Sequence, residues 1–305
     1  SDKLITRGPD SAGDWSDPQQ QIYLAHRRLA IMDLSVAGHQ PMLSPSERYV
    51  ISYNGEIYNN RDIKTELEIL GEAPIWIGSS DTEILLAAFE AWGIKETIRR
   101  VKGMFAIAVW DKLLGQLTLV RDRLGEKPLY YGWQGSGSNK GFLFGSELKA
   151  LKEHPQFTGK IDRSSLALYM RYCYVPAPHA IFEGIKKLEP GTILTVALND
   201  NDLSIERYWD TIKVVKEGLE TPFEKTATQI ADDLETLLRK TIDQQMIADV
   251  PLGAFLSGGV DSSLIVSLMQ AQNSLRIKTF TIGFNEAGYN EAEYAGAVAQ
   301  HLGTE

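Results

Sequence analysis

The stretch that decides the fold of the second part of the chain is Ser257-Gly258-Gly259-Val260-Asp261-Ser262-Ser263. It lies between apolar runs at 252–256 and 264–269, which predict a strand before it and a helix after it. Glycines allow a ligand to approach the backbone, and the first amides of a helix point outward without an internal partner. Since the helix dipole also favours negative charge there, the pattern predicts a phosphate-binding loop. The structural alternative is a glycine-rich turn in which a serine caps the helix.

The loop is not of the Walker type, because no Gly-Lys-Ser or Gly-Lys-Thr closes it. It resembles instead the pyrophosphate loop of the ATP pyrophosphatases, and the resemblance implies cleavage of ATP between its α and β phosphates. The same resemblance assigns pyrophosphate binding to Ser257, Gly258, Gly259, Asp261, Ser262 and Ser263. A carboxylate repels phosphates unless a cation intervenes, so Asp261 is predicted to act through Mg²⁺.

The composition limits the classes of function. A length of 305 residues predicts about two domains, and 43% hydrophobic residues are enough for packed cores. The net charge of -9 argues against non-specific binding to nucleic acid. No apolar run approaches the ~20 residues that span a bilayer, and the first residues show no signal-peptide pattern. A single cysteine, Cys173, excludes an internal disulfide and fits a reducing compartment, so we expect a cytoplasmic protein.

The first two thirds of the chain predict an α+β layered sandwich. Strands are predicted at 22–26, 49–54, 104–111, 116–121, 129–133 and 142–144. The strand at 104–111 is apolar throughout, which indicates burial on both faces. One helix is predicted to begin after Ser80, with Glu83 completing a capping box, and to end at Gly93. A further helix is predicted from Asn60 to Gly71.

Four short motifs in this part are more polar than a fold alone requires. They are Arg7-Gly8-Pro9-Asp10, His26-Arg27-Arg28-Leu29, Tyr53-Asn54-Gly55-Glu56-Ile57-Tyr58-Asn59 and Ser79-Ser80-Asp81-Thr82-Glu83. Taken singly, each also fits a structural role. Asn54-Gly55 is typical of a hairpin turn, Arg27-Arg28 of a solvated pair, and Asp81 of a residue that serves only its helix N-terminus.

Together with the motif at 121–132, these stretches resemble the class II glutamine amidotransferase domain, an N-terminal-nucleophile hydrolase with an α-β-β-α sandwich. With the loop at 257–263 added, the chain resembles the glutamine-hydrolysing asparagine synthetase family over nearly its whole length. The resemblance implies a glutaminase domain at 1–209 and a linker at 210–220. At 221–305 it implies the N-terminal part of an α/β domain of ATP-pyrophosphatase type, with a doubly wound parallel sheet.

The resemblance also implies roles for single residues. Arg28 matches the residue that binds the α-carboxylate of glutamine, and a guanidinium suits a carboxylate because it donates two parallel hydrogen bonds. Asp81 matches the partner of the α-ammonium group, and Glu56 matches a carboxylate that positions the substrate beside it. The side-chain amide of Asn54 and the backbone N–H of Gly55 match the oxyanion hole. Glycine suits this role, since a side chain would crowd the tetrahedral intermediate.

The sequence departs from the family pattern at the nucleophile. In the family this is a cysteine at the mature N-terminus, whose own α-amine acts as base, whereas residue 1 here is serine. We expect that a strand-rich segment precedes residue 1 in the complete protein, and that this chain alone releases no ammonia from glutamine. Cys173 is not expected to substitute, because the apolar run at 166–174 predicts a buried core thiol.

The part from 221 onward alternates helices and strands. Thr221 is predicted to cap a helix with Pro222 at its first position, and a second parallel strand is predicted at 277–284. The resemblance places Leu256 and Ile282 at the adenine of ATP, although ordinary core burial explains both equally well. The aspartate-binding residues of the family would follow residue 305, so we expect that the sequence is also incomplete at this end.

The leading hypothesis is a piece of a glutamine-dependent asparagine synthetase. In that family one domain releases ammonia from glutamine, the other activates aspartate with ATP as aspartyl-adenylate, and ammonia displaces AMP. A second hypothesis keeps the architecture but changes the acceptor, as in relatives that amidate surface sugars or close β-lactam rings. A third is a non-catalytic binding module. The expected partners are glutamine, ATP and aspartate, without nucleic acid or membrane; a homodimer is compatible with the sequence, which does not fix the oligomeric state.

Overall fold

The computed structural model describes residues 1–197, 202–286 and 290–305. The chain forms two compact units, unit 1 (Ser1–Gly218) and unit 2 (Leu219–Glu305). The division falls within a helix, Thr211–Glu220, which covers nearly all of the predicted linker. The domain boundaries at 209 and 221 stay predictions.

The described residues of unit 1 form the following strands: β1 (Ser11–Asp17), β2 (Ile22–Arg28), β3 (Met42–Leu43), β4 (Tyr49–Ile57), β5 (Gly103–Asp111), β6 (Gln116–Arg121), β7 (Tyr130–Gln134), β8 (Gly141–Gly145), β9 (Ile185–Lys187), β10 (Thr192–Ala197) and β11 (Asp202–Arg207). Its helices are α1 (Asn60–Leu70), α2 (Asp81–Trp92), α3 (Ile94–Arg100), α4 (Leu148–Leu151), α5 (Arg163–Tyr172) and α6 (Thr211–Glu220), which crosses into unit 2. Short 3₁₀ helices lie at Asp2–Leu4, Val36–Gly38 and Gly137–Asn139.

Unit 1 is a four-layer sandwich. Its central sheet is antiparallel, with the strand order β11-β10-β6-β5-β4-β3. One face of this sheet packs on α1, α2 and α3 around Phe89, Leu67 and Ile98, and the other packs on β2, β7 and β8 around Leu24 and Tyr131. Helix α4 packs against β8. Helices on one face of the central sheet and further strands on the other agree with the α-β-β-α fold class that the sequence predicts.

The two faces of the central sheet follow from alternation along β4. Tyr49, Ile51 and Tyr53 point into the helical core, whereas Val50 points into the core between the sheets. On the face that carries Val50, the side chains then change from apolar to polar. The next residues on this face are Ser52, Asn54 and Glu56. The same strand therefore builds the core in its first half and presents polar groups in its second half.

The predicted strands of unit 1 are confirmed: β6 matches its predicted range, β7 is shifted by one residue, and β2, β4, β5 and β8 are longer than predicted by one to three residues. Burial of β5 on both faces is also confirmed from Phe105 to Asp111. The capping box at α2 is only half formed. Ser80 Oγ accepts a hydrogen bond from the backbone N–H of Glu83, but the Glu83 carboxylate accepts from the N–H groups of Ile77 and Gly78 instead.

The prediction of a buried thiol at Cys173 is wrong. Helix α5 ends at Tyr172, and Cys173 follows it as an exposed C-cap residue in the left-handed region with φ 60°. The apolar run around it does not pack inward, since Met170 is 75% exposed and Tyr169 is 48% exposed. The apolar run at the end of α5 therefore does not indicate burial of its side chains.

Unit 2 contains α7 (Ala227–Gln245), β12 (Gly253–Phe255), α8 (Val260–Ala271), β13 (Lys278–Phe280) and α9 (Ala292–Leu302). Strands β12 and β13 pair in parallel, as predicted, with α8 as the connection between them. The core is small and is divided into two clusters, one around Ile242 and Met269 and one around Leu256 and Val266.

The predicted start of the first helix in unit 2 is wrong by five residues. The cap is Thr226 rather than Thr221, because Thr226 and Gln229 form a complete capping box. Thr226 Oγ1 accepts from the Gln229 N–H, and Gln229 Oε1 accepts from the Thr226 N–H. Reciprocal satisfaction of two helix-end donors makes this the better start. Within the described residues, no helix has the length and apolar character needed to cross a bilayer.

Candidate functional site

A cavity of about 770 Å³ lies between the sheet layers of unit 1. Residues from β2, β4, β5 and β8 line it, together with the start of α2. The four residues predicted to bind glutamine, Arg28, Asn54, Glu56 and Asp81, are among its lining, as is Gly55, which is predicted for the oxyanion hole. The fold therefore brings together residues that are up to 53 positions apart in the sequence.

The backbone N–H of Gly55 lies on the open edge of β4. Gly55 is opposite Phe105 in the β4–β5 pair, and Phe105 uses its own N–H and C=O toward Asp122 on the other side. Opposed residues of an antiparallel pair share the same bonding direction, so Gly55 also points its N–H away from β5. Strand β3 ends its pairing at Ile51 and does not reach Gly55. This N–H is therefore placed to donate to a ligand.

The structure gives a reason for glycine at position 55 besides the expected one. A Cβ there would lie 2.1 Å from the carbonyl oxygen of Met104 and 2.7 Å from the Cα of Phe105. The neighbouring strand therefore requires glycine here, and crowding of the intermediate by a side chain stays a prediction. Glycine allows β4 and β5 to approach closely at the point where the cavity opens.

Asp81 is the first residue of α2 and is only 5% exposed. Its Oδ2 accepts hydrogen bonds from the Tyr53 hydroxyl at 2.7 Å and from the backbone N–H of Ile57 at 2.9 Å. Burial raises the pKa of the Asp81 carboxyl, and the bonds from Ile57 and Tyr53 oppose that rise. The carboxylate is thus fixed in place by β4 while it lines the cavity.

Glu56 is half-buried on the cavity face of β4, on the same face as Asn54. Burial raises the pKa of Glu56, the charge of Asp81 adds to the rise, and the nearby Lys127 opposes it. Lys127 also lines the cavity. Two carboxylates and one ammonium group therefore face the same space, which suits a ligand that carries its own positive charge.

Lys127 is held in place by a buried carboxylate in the motif at 121–132. Asp122 is fully buried and accepts hydrogen bonds from the backbone N–H groups of Phe105, Glu126 and Lys127. Arg121 reinforces the same loop by donating to the carbonyl oxygens of residues 125, 127 and 188. The polar side chains of Arg121 and Asp122 therefore stabilise the loop that places Lys127 at the cavity.

Arg28 is the last residue of β2 and lines the cavity. Its Nη atoms donate to the carbonyl oxygens of residues 32, 33 and 35 at 3.0, 2.5 and 3.2 Å. Three of its five N–H groups are used in this way, and two remain for a ligand. A Cβ on Gly38 would lie 2.0 Å from Arg28 Nη2, so glycine there makes room for the guanidinium.

His26 is a cavity residue to which the sequence analysis gave no role of its own. Its Nδ1 lies 3.3 Å from Ser52 Oγ, and both residues line the cavity. Burial lowers the pKa of His26 to about 4, and the positive charges of Arg28 and His39 add to the effect. The imidazole is therefore neutral near pH 7. Two-residue spacing from Arg28 on one strand face was the signal that could have found it.

In unit 2, the predicted phosphate loop joins β12 to α8, as expected. Gly258 has φ +79°, a conformation that favours glycine, and Gly259 is the N-cap of α8. Ser257 Oγ and Ser262 Oγ lie 2.9 Å apart, and Ser257 Oγ accepts from the Gly259 N–H at 3.3 Å. The Ser263 hydroxyl is buried and has no hydrogen-bond partner among the described residues. The loop fits a polyanion, because it presents hydroxyls and amides at a helix N-terminus.

The other predicted ATP-binding residues are placed differently from one another. Asp261 is exposed in the first turn of α8, next to the serines of the loop. Leu256 is 2% exposed and packs on Val266 and Ala295, whereas Ile282 is 68% exposed. Contact of Leu256 and Ile282 with adenine stays a prediction.

The donor set at Asp261 fits Mg²⁺ as an ion shared with a nucleotide. In the described part of the chain, no group of three or more His, Cys, Asp or Glu side chains is arranged to hold a metal. Mg²⁺ commonly binds through one or two carboxylates together with phosphate oxygens and water. A single exposed carboxylate beside a phosphate loop meets that requirement, and the role of Asp261 stays a prediction.

The chain matches two protein families and several curated relatives. The family described as "Glutamine amidotransferase domain" matches residues 1–209, and the family described as "Asparagine synthase" matches residues 233–305. Asparagine synthetase [glutamine-hydrolyzing] 3 of Bacillus subtilis is 34% identical over 293 residues, which cover 94% of this chain and 45% of that protein. Asparagine synthetase [glutamine-hydrolyzing] 1 of the same species is 35% identical over 302 residues, with 99% and 45% coverage.

A third relative is the putative asparagine synthetase [glutamine-hydrolyzing] 2 of Methanocaldococcus jannaschii. It is 33% identical over an alignment of 328 positions that covers 98% of this chain and 58% of that protein. The chain therefore spans about half the length of the curated relatives it matches. Through residues 1–209 it belongs to the family of proteins with a glutamine amidotransferase domain, and its second unit matches the asparagine synthase family.

Proposed function

We propose that unit 1 binds glutamine, and that the complete protein uses it as the nitrogen donor for ATP-dependent synthesis of asparagine. The observation that supports the proposal is the cavity of about 770 Å³. An arginine, two carboxylates and the backbone N–H of Gly55 on the open edge of β4 line this one cavity. An α-amino acid carries a carboxylate and an ammonium group at one end. The names of the relatives support the choice of glutamine and asparagine.

In this proposal the two free N–H groups of Arg28 bind the α-carboxylate of glutamine. Asp81 accepts from the α-ammonium group, and Glu56 accepts from the same end of the ligand. The side-chain amide then extends along β4 toward Asn54 and Gly55. The Gly55 N–H and the Asn54 side-chain amide donate to the oxygen that becomes negative when a nucleophile attacks the amide carbon.

The second half of the proposal concerns unit 2. The loop of Ser257, Gly258, Gly259, Ser262 and Ser263 binds the pyrophosphate part of ATP through hydroxyls and backbone amides. Mg²⁺ held by Asp261 would neutralise charge on the phosphates when it is bound. Activation of the aspartate carboxylate by ATP and its amidation are then the reactions of the complete protein. The match of residues 233–305 to the asparagine synthase family supports this half.

Titration of the ¹⁵N-labelled chain with L-glutamine, and separately with ATP and Mg²⁺, tests the proposal. Glutamine should shift the amide signals of Asn54, Gly55 and Asp81, and ATP should shift those of residues 257–263. Glutamine that leaves the cavity signals unchanged at saturating concentration would contradict the proposed role of unit 1. The chain is expected to bind glutamine without releasing ammonia, because its single cysteine, Cys173, is not among the cavity residues.

A further inference from the structure

Gln40 is a buried polar residue that connects the two sides of the cavity. It is 6% exposed and lies just before β3. Its Oε1 accepts a hydrogen bond from the backbone N–H of Tyr53 at 2.6 Å, and its Nε2 donates to Thr82 Oγ1 at 3.4 Å. Tyr53 precedes Asn54 on β4, and Thr82 follows Asp81 on α2. One side chain therefore joins the strand of the oxyanion hole to the helix that carries the ammonium partner.

The side chain of Gln40 acts where strand pairing stops. Strand β3 pairs Met42 with Ile51, and extension of that register places Gln40 opposite Tyr53. The acceptor for the Tyr53 N–H is the side-chain oxygen of Gln40 rather than a backbone carbonyl. A buried N–H without an acceptor costs about 1–3 kcal/mol, so this position needs such a side chain.

Three N–H groups lie along the open edge of β4, at Tyr53, Gly55 and Ile57. The first is bonded to Gln40 Oε1 and the last to Asp81 Oδ2. The middle one, at Gly55, faces the same edge and lies between the two capped groups. The side chains of Gln40 and Asp81 thus accept from the two flanking N–H groups. The N–H of Gly55 is left to donate to an oxygen of the ligand.

We infer that Gln40 is a positioning residue for glutamine binding: it caps the Tyr53 N–H so that the neighbouring Gly55 N–H is the one donor offered at this edge. The inference rests on the proposed binding of glutamine in the cavity. Gln40 acts through Tyr53 and Thr82, and it sets the spacing between the Gly55 donor and the Asp81 carboxylate. Its two hydrogen bonds reach both elements at once.

The test compares Gln40→Met with Ser44→Ala in the full chain. Methionine keeps the volume of Gln40 but removes both hydrogen bonds. Ser44 is a matched control, because it is 2% exposed and its Oγ accepts from the Tyr49 N–H at 3.1 Å at the other end of β4. Gln40→Met should weaken L-glutamine binding about tenfold or more, whereas Ser44→Ala should change it less than about twofold. Gln40→Glu keeps the acceptor and should restore most of the affinity.

Amide hydrogen exchange gives a readout that needs no ligand. In Gln40→Met the Tyr53 amide should exchange about tenfold faster or more, and the Gly55 amide signal should move, with Tyr49 unchanged. Unchanged Tyr53 exchange, or wild-type glutamine affinity in Gln40→Met, would overturn the inference. An equal loss of affinity in Ser44→Ala would also overturn it, because a general loss of stability would then explain the effect. If the wild-type chain binds no glutamine, the proposed function fails, and exchange at Tyr53 and Gly55 still decides the role of Gln40 at the strand edge.

Discussion

The two units place their candidate sites in different surroundings. In unit 1, the groups that line the cavity are fixed by buried partners, such as Tyr53 and Ile57 on Asp81 and Gln40 on Tyr53. In unit 2, the loop at 257–263 is held mainly by bonds among its own exposed serines and glycines. The first site is thus built into a core, and the second lies on the surface of a small unit.

This difference indicates how far the shape of each site depends on a bound ligand. Hydrogen bonds in a buried network are electrostatically stronger than the same bonds in water, and an unpaired group there is costly. The unit 1 site is therefore expected to keep its shape without glutamine, and changes there should affect both stability and binding. Substitutions of the serines in the unit 2 loop are expected to change stability little, whereas Gly258 is constrained by its φ of +79° and by its contact with Tyr294.

The largest expected effect is from Gly55→Ala. The added Cβ would meet the Met104 carbonyl oxygen at 2.1 Å, a contact that requires β4 and β5 to separate. We expect unit 1 to lose about 3 kcal/mol of unfolding free energy, measured by chemical denaturation. Gly259→Ala is the matched change in unit 2, because its Cβ would meet Ser257 Oγ at 3.3 Å and has open space around it. Equal losses in the two variants would remove the contrast between the units.

Asp81→Asn should weaken glutamine binding about a hundredfold, because the proposed charged partner of the α-ammonium group is lost while the acceptor oxygen remains. Isothermal titration calorimetry measures the affinity. Asp111→Asn is the control, since Asp111 is also a buried carboxylate of unit 1 and bonds Arg48 at 2.7 Å. Asp111 is not among the cavity residues, so its variant should bind glutamine like the wild type.

The pKa of His26 predicts a pH effect of intermediate size. An ordinary histidine titrates near pH 6.5, whereas burial lowers the pKa of His26 to about 4 in the folded chain. The unfolded state therefore binds more protons between these values, and the unfolding free energy falls as the pH is lowered, by up to ~1 kcal/mol per pH unit.

His26→Asn should flatten that slope, because the group that gives rise to it is removed. The His26 ring signals in an NMR titration should stay those of the neutral form down to about pH 5. A midpoint near 6.5 would show that the imidazole is solvated, and the account of a buried, neutral histidine in the cavity would then be wrong.

Ser257→Ala should have the smallest effect on stability. Its hydroxyl bonds lie at the surface, so the unfolding free energy of unit 2 should change by less than about 0.5 kcal/mol. Binding of ATP with Mg²⁺ should nevertheless weaken several-fold, because one hydroxyl donor to the phosphates is lost. A stability loss as large as that of Gly55→Ala would mean that the loop is part of a core after all.

The sequence predicted those features that depend on local pattern. Strand β6, the N-cap at Ser80 and the parallel pair of β12 and β13 follow from alternation, capping residues and apolar runs. The five cavity residues follow from a family resemblance, since no local rule places Arg28 and Asp81 in the same cavity.

The features that escaped prediction depend on contacts between distant segments. Gln40 and His26 look ordinary in the sequence, and only the folded chain places them against Tyr53 and Ser52. Cys173 was assigned to the core because apolar neighbours usually indicate burial, but α5 exposes them. The close approach of β5 at Gly55 also depends on a distant segment, and the sequence gives no sign of it.

The most direct measurement of the central claim varies the ligand instead of the protein. Calorimetric titration of the chain compares L-glutamine with N-acetyl-L-glutamine, which lacks the ammonium charge, and with L-glutaminamide, which lacks the carboxylate. Binding of L-glutamine with at least about a hundredfold loss for each analogue is the predicted result, because Asp81 and Arg28 would each lose their partner. Equal affinities for all three compounds, or no binding of L-glutamine, would contradict the assignment of the cavity as a glutamine site.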